Sequence, residues 1–314
     1  SYDPAITTGL NTSPYDWNFD LGVQHQVTPR ASISVTYFRR WFGNFFITDN
    51  LATAASDYTL YNAPIPVDPR LPNGGGGTLT FADVNPNKFG QTQNLVTAAS
   101  NYGNMYDHWN GVDVDFTYRP KGGLYFQGGT STGRRYFNDC EVQQALPEAN
   151  QIFTVLNNGS AISGISPLSF CNQTTNWLTT FKFLSTYTVP KIDVQLGATL
   201  QSIPLQTTYA IWNAPSSALA GALGRPVSGG GTSALNILQP GLYYPDRLNQ
   251  LDVKLAKVLR FAGTKTLVGV DIYNVTNSNT VQTYNNTFSP TGTYHTPTFI
   301  LSPRFVKFSA NFDF

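Results

Sequence analysis

The stretch IDVQLGATLQ, Ile192 to Gln201, restricts the fold of this chain more than any other. Ile192, Val194, Leu196, Ala198 and Leu200 alternate with Asp193, Gln195, Gly197, Thr199 and Gln201. That is the two-residue period of a strand with one apolar and one polar face. The alternation recurs in WNFDLGVQH, where Trp17, Phe19, Leu21, Val23 and His25 share a face, and in SISVTYFRRW, where Ile33, Val35, Tyr37, Arg39 and Trp41 do. GVDVDFTYRP sets Val112, Val114, Phe116 and Tyr118 against Asp113, Asp115, Thr117 and Arg119. LYFQGGTSTGRRYF, NWLTTFKFLSTYTV, LNQLDVKLAKVLRF and TLVGVDIYNVTN continue the series. In the terminal stretch, Phe308, Ala310, Phe312 and Phe314 alternate with Lys307, Ser309, Asn311 and Asp313. The expectation is an all-β, antiparallel fold.

The connections are ordered too. Short turns fall at TPRA (Thr28 to Ala31), Pro120 to Gly123, Pro190-Lys191 and AGTK (Ala262 to Lys265). Long polar stretches rich in Gly, Pro, Asn and Ser separate the hairpins at 49–106, 138–176, 202–247 and 277–299. A soluble sandwich would mix long and short connections. An outer-membrane barrel puts the short turns at the periplasmic rim and the long loops outside. Four hairpins and the terminal strand make nine strands. An odd antiparallel set does not close on itself, so the chain reads as the C-terminal part of a larger transmembrane β-barrel, with earlier strands expected before Ser1. The sole Met is not the first residue, which suggests a mature or partial chain.

Composition agrees. Charged residues are 12%, about half the usual share of a soluble domain, and aromatics are 14%. No run of 18 apolar residues marks a transmembrane helix, but a barrel strand needs only about ten alternating residues. A net charge of +1 leaves no basic stripe for nucleic acid.

Candidate chemistry is sparse. Cys140 and Cys171 bracket a polar stretch and suggest one disulfide closing a loop in an exported chain, with two free thiols as the alternative. Two sulfurs without a His pair argue against zinc. PNGGGG, Pro72 to Gly77, has no Lys-Ser/Thr after it, so it reads as a flexible loop and not a phosphate cradle. No G-x-S-x-G elbow and no helix to hold one are visible, and neither an enzyme nor a cofactor is expected. His25, His108 and His295 stand in different segments, with His25 on an apolar face near a turn. Asp113 and Asp115 share a face, as do Asp193 and Gln195. These read as lumen-facing polar positions, with the paired aspartates open to a cation or to Arg or Lys on a neighbouring strand. In Arg39-Arg40 and Arg134-Arg135 one member faces in and the other snorkels at the interface. Tyr209, Trp212, Tyr243 and Tyr244 are the candidate ligand contacts, because rings on long loops stack on something. A sugar or a hydrophobic nutrient would suit them, and packing between loops is the other reading.

Several stretches carry a family resemblance. RLNQLDVKLAKVLRFAGTKTLVGVDIYNVTNSNTVQTYN, Arg247 to Asn285, and ILSPRFVKFSANFDF, Ile300 to Phe314, resemble the C-terminal strands of TonB-dependent outer-membrane receptors. Val23 to Asn50 looks like an earlier hairpin of the same barrels. Asp271 and Asn274 in DIYNVTN match the D-x-x-N pattern of the penultimate strand. The nearest look is that of the Oar-like receptors with an N-terminal carboxypeptidase-regulatory-like domain. The resemblance implies a barrel of about 22 strands around an N-terminal plug, importing a scarce nutrient, such as an oligosaccharide or another large solute, with force from the TonB complex. This chain has neither plug nor TonB-contacting box. Its expected partners are outer-membrane lipid, the rest of the receptor and, through it, TonB. The rival expectation is a secreted all-β adhesion or glycan-binding protein with its apolar faces buried between two sheets. A third is a structural subunit that assembles with other chains.

Overall fold

The computed structural model describes residues 1–151, 153–157, 160–261 and 264–313. Nine strands run through it in chain order, each antiparallel to the next. They are β1 (Tyr15–Thr28), β2 (Ala31–Gly43), β3 (Tyr106–Tyr118), β4 (Leu124–Asn138), β5 (Leu178–Val189), β6 (Val194–Ile203), β7 (Leu248–Phe261), β8 (Thr264–Tyr273) and β9 (Phe305–Asp313). The all-β expectation and the count of nine are met. A short strand, Asn172–Thr174, also pairs with the outer end of β4.

Register carries the two faces across the whole sheet. Gln24, Ser34, Asp115, Gly129, Lys182, Gln201 and Gln250 lie opposite one another in a single row. On the other face Leu124, Tyr187, Leu196, Leu255, Val270 and Phe308 form an equivalent row. Period-two alternation makes every register choice a choice of face. All strands agree, so one side is predominantly apolar and the other predominantly polar. Arg40–Asp16 (2.8 Å), Arg135–Asp107 (2.6 Å) and Lys254–Asp271 (3.6 Å) are ion pairs on the polar side. The arginine doublets divide as expected, with Arg39 and Arg134 on the apolar side. Arg39 Nη1 donates to Asn110 Oδ1 at 3.3 Å, and the Arg134 guanidinium stands 4.8 Å over the Trp177 ring.

The tight turns share one end of the sheet. The third is longer than Pro190-Lys191, because Lys191 and Asp193 take left-handed backbone (φ 71° and 52°) and β6 begins only at Val194. Asp193 is therefore a rim residue, ion-paired with Arg260, and not a lumen-facing strand position. In the turn expected at Ala262 to Lys265, Ala262 and Gly263 lie outside the described residues, as does Phe314.

The long connections fold, contrary to the sequence reading. In the first, Phe46–Asn50 pairs with Asn94–Ala98 and Tyr58–Pro64 with Thr78–Val84. PNGGGG is an ordered turn and not a flexible loop. All four glycines have positive φ, and backbone bonds from Asp68 N to Gly74 O (2.9 Å) and Gly76 N to Pro66 O (3.1 Å) lock it. The third connection contains the helix Ser216–Leu223, stopped by Gly224 in the left-handed conformation. That helix contradicts the expectation of none.

These connections supply the buried core. Tyr61 and Phe81 from the first, Trp212, Leu219 and Leu235 from the third, and Phe288 and Tyr294 from the fourth pack into one cluster, with no member in the nine strands. Polar clamps hold the seams. Arg70 donates to the carbonyls of Ser289 (2.9 Å), Pro290 (3.1 Å) and Gly292 (2.8 Å), and Arg225 bonds Asp83 at 2.5 Å. The result is a loop cap with its own core, set on one end of a sheet without one.

Candidate functional site

Where the cap meets the polar face of β4 lies a cleft of about 580 Å³, within the usual range for a small-molecule site. β4 contributes Arg135 and Phe137 to its floor. Gln173 and Thr175 follow the disulfide, and Tyr209 and Tyr244 come from the third connection. Gln282, Tyr284 and Asn286 come from the fourth.

Each wall is fixed locally. Cys140 and Cys171 are joined, so the suggested disulfide is present. It holds Asn172–Thr174 against Tyr136–Asn138 of β4. Thr208 N donates to Tyr243 O at 2.8 Å and Thr207 Oγ1 to the same carbonyl at 2.9 Å, tying the two tyrosine-bearing segments together. Tyr209 N donates to Asn286 Oδ1 at 3.3 Å, which ties in the fourth connection. Tyr284 is held in parallel stack by His295, 4.2 Å away at 9°.

The electrostatics are those of a neutral site. Among the described residues Arg135 is the one charged residue lining the cleft, and its Nε and Nη2 donate to both carboxylate oxygens of Asp107 at 2.7 and 2.6 Å. Burial raises the phenols of Tyr209, Tyr244 and Tyr284 above the ordinary tyrosine value; Tyr209 adds to the rise at Tyr244 and Asp246 to that at Tyr284. All three therefore remain neutral hydrogen-bonding groups at physiological pH.

The four loop aromatics separate. Tyr209 and Tyr244 line the cleft, and Tyr243 packs against the cap core. Trp212 is only 5% exposed inside that core and cannot meet a ligand. Its alternation with Ile211 and Asn213 in a short strand puts it against Leu219 and Leu235, a partner set no local pattern announces. Tyr284 was missed. The rule that selected the others, an aromatic in a long polar connection, applies to it equally.

Asp113 and Asp115 stay neighbours on the polar face of β3, and Gln195 lies apart from them on the polar face of β6. Asp113 pairs across to Thr36 and Ser131, and Asp115 to Ser34 and Gly129, so neither meets the Arg or Lys expected opposite. Gln195 lies between Thr188 and Ala256. His25 and His108 share the apolar face, far from His295 in the cap.

No family model and no curated protein matches this chain. Among solved structures it is similar to the outer membrane transporter YddB from Escherichia coli. The TM-score is 0.49 at 10% identity, covering 95% of this chain and 32% of that one. It is also similar to the copper transporter OprC, with a TM-score of 0.29 at 10% identity over 83% of this chain and 36% of that one. The chain spans about a third of the length of either. What the cleft can do rests on its own residues.

Proposed function

We propose that this chain is the C-terminal part of an outer-membrane β-barrel receptor that captures a nutrient at the cleft under its loop cap and passes it inward along the polar face. The observation that carries the reading is a nine-stranded sheet whose apolar face has nothing packed on it. Trp17 is 61% exposed, Leu21 64%, Val23 70% and Phe308 78%. Each such side chain left in water forgoes roughly 1.5–3 kcal/mol of burial, and a hydrocarbon surround recovers it. Aromatics mark both ends of that face. Trp17, Trp41 and Tyr136 stand toward the long connections, and Tyr118, Phe126 and Tyr187 toward the tight turns, as the two interfacial girdles of an outer-membrane barrel do.

The sequence resemblance refines the proposal to a TonB-dependent receptor of the carboxypeptidase-regulatory-like type, with plug and earlier strands contributed by the rest of the protein. Localisation is tested on the native polypeptide. It should fractionate with outer membranes, require detergent, and change gel mobility on heating. A product that stays soluble without detergent would overturn the receptor and favour the secreted adhesion. Energy coupling has its own test: ligand accumulation should cease when the proton gradient is collapsed, and undiminished uptake would remove TonB from the account.

A further inference from the structure

We infer that the polar face of β1 to β4 carries a binding site for a small organic cation, of the guanidinium or ammonium kind, built on the Trp109 ring and the Asp113 carboxylate. The inference adds a second station inward of the cleft under the loop cap, and rests on the receptor reading only for which way that face looks.

The backbone prepares the site. Register sets Gly111 of β3 opposite Gly133 of β4, and a Cβ on either residue would overlap the Trp109 indole. The ring therefore lies along the sheet over two glycines, turned toward the tight-turn end, where Asp113 stands in the next row. One face of the indole rests on backbone. The other is left to a cavity of about 540 Å³ that Asn18, Phe38, Arg40, Asp107 and Asp113 also line.

The neighbours show what such a ring and carboxylate hold. Arg40 and Arg135 flank Trp109 in its row, and both turn the opposite way, toward the cap. Arg40 pairs with Asp16 at 2.8 Å and stands 4.7 Å over the Phe42 ring. Arg135 pairs with Asp107 at 2.6 Å and stands 5.2 Å over Phe137. Each guanidinium is held between a carboxylate and a ring, and each pair is neutral as a unit. Asp113 and Trp109 are a third carboxylate and ring on the same face. Among the described residues no Lys or Arg pairs with Asp113 or stacks on Trp109. Asp20, opposite Phe38, is in no ion pair either. Asp113 Oδ1 is buried and accepts no hydrogen bond. A shielded carboxylate oxygen without a partner is costly as an anion, and a cation beside it removes that cost.

The surroundings select the kind of cation. A hard divalent ion wants about six or more oxygen ligands, and this cavity offers rings in their place. Trp is the best aromatic partner for a cation over its face, and a planar guanidinium stacks on it as Arg40 does on Phe42. Asp113 lies between Thr36 and Ser131, whose hydroxyls can accept from further N–H groups. An anion would meet Asp113 and Asp20, and a neutral guest would leave the Asp113 charge unanswered.

The test is isothermal titration of the full-length protein, in micelles of an uncharged detergent, with butylguanidinium and its neutral isostere butylurea. Calcium chloride is the competitor, with sodium chloride at matched ionic strength as its reference. Butylguanidinium should bind, and butylurea should bind roughly tenfold more weakly or worse. Asp113→Asn, which keeps the shape and removes the charge, should weaken butylguanidinium by roughly tenfold or more. Trp109→Leu, which still covers the glycines, should weaken it about fivefold. Asp271→Asn, which removes a carboxylate from the polar side of β8, should bind as the parent does. Equal affinity for butylurea, displacement by calcium beyond the sodium reference, indifference to Asp113→Asn or Trp109→Leu, or no binding of butylguanidinium would overturn the inference. Heat-dependent gel mobility reports the folding of each variant, and the comparison with butylurea needs no variant. A protein soluble without detergent that still bound butylguanidinium through Asp113 and Trp109 would sink the receptor and leave this inference standing.

Discussion

Single residues in the cap hold more than their size suggests. Asn274 ends β8 with a left-handed φ of 51° and is 2% exposed. Its Nδ2 donates to the carbonyls of Ser278 (2.8 Å) and Ser302 (2.9 Å), its Oδ1 accepts from Ser278 N, and its own N–H reaches Asp252 Oδ1. The D-x-x-N pattern thus marks a backbone corner that joins both ends of the fourth connection. Asn274→Ala loses the left-handed preference and the bonds to the partly buried Ser278 and Ser302 carbonyls, costing roughly 1–2 kcal/mol. Asn274→Gly keeps the backbone and should lose less. Protease protection of segment 274–304 across a urea series measures both, and equal loss in the two variants would show that the side-chain bonds dominate.

Asp139 has the opposite character. Burial lifts its carboxyl from 3.8 to about 6, against the two bonds that Gln143 Nε2 donates to it. The folded state favours the protonated form. Its contribution is therefore full below the unfolded value of 3.8 and is lost as pH rises through about 6. At neutral pH the anion costs the second connection up to about 2 kcal/mol, after allowing for partial solvent screening. Asp139→Asn should stabilise that connection at pH 7.5 and flatten its stability between pH 4 and about 6. The new amide can also donate to Gln143 Oε1, which lacks a partner. Loop proteolysis as a function of pH, parent against variant, is the measurement.

At the level of elements, the second connection depends on a covalent tie. The disulfide spans 31 residues, a loop for which chain entropy gives about 3–4 kcal/mol. Reduction, or Cys140→Ser with Cys171→Ser, should release Asn172–Thr174 from β4. Segment 139–177 should open to protease first, and ligand retention at the cleft should fall, while heat-dependent gel mobility, a property of the strands, stays as it was. Loss of that mobility would mean that the tie supports the sheet itself. The helix Ser216–Leu223 is an element of another kind. Pro215 before it, a Ser-Ala-Leu run and Gly224 after it are ordinary helix punctuation, and Leu219 and Leu223 point one turn apart into the cap core. Surrounded by Gly, Pro and Ser, eight residues were too short to stand out.

Over the whole molecule, the sheet keeps its faces only if its apolar side meets hydrocarbon. Leu255 is 51% exposed on that side, and Thr199 faces the polar one. Leu255→Arg should destabilise the folded protein in lipid vesicles by about 2–4 kcal/mol, the usual effect of arginine near mid-membrane. Thr199→Arg, near Asp252, should be nearly neutral. Urea unfolding in vesicles measures both. If Leu255→Arg is tolerated and Thr199→Arg is not, the assignment of faces is reversed.

The sequence by itself determined the strands, their faces and the order of short and long connections. Those follow from a period of two and from turn residues, both of which act over a few neighbours. It began β6 two residues early, at Ile192, and so read Asp193 as a lumen-facing strand position, since two left-handed positions stretched a turn that Pro190-Lys191 already announced. Only tertiary structure decided what the connections do. Whether Trp212 meets a ligand or Leu235, and whether Tyr209, Tyr244 and Tyr284 share one cleft, depend on contacts between residues 23 to 75 positions apart. No local pattern encodes such pairings. They are fixed when the apolar side chains of three polar-looking connections find that together, and not singly, they can exclude water.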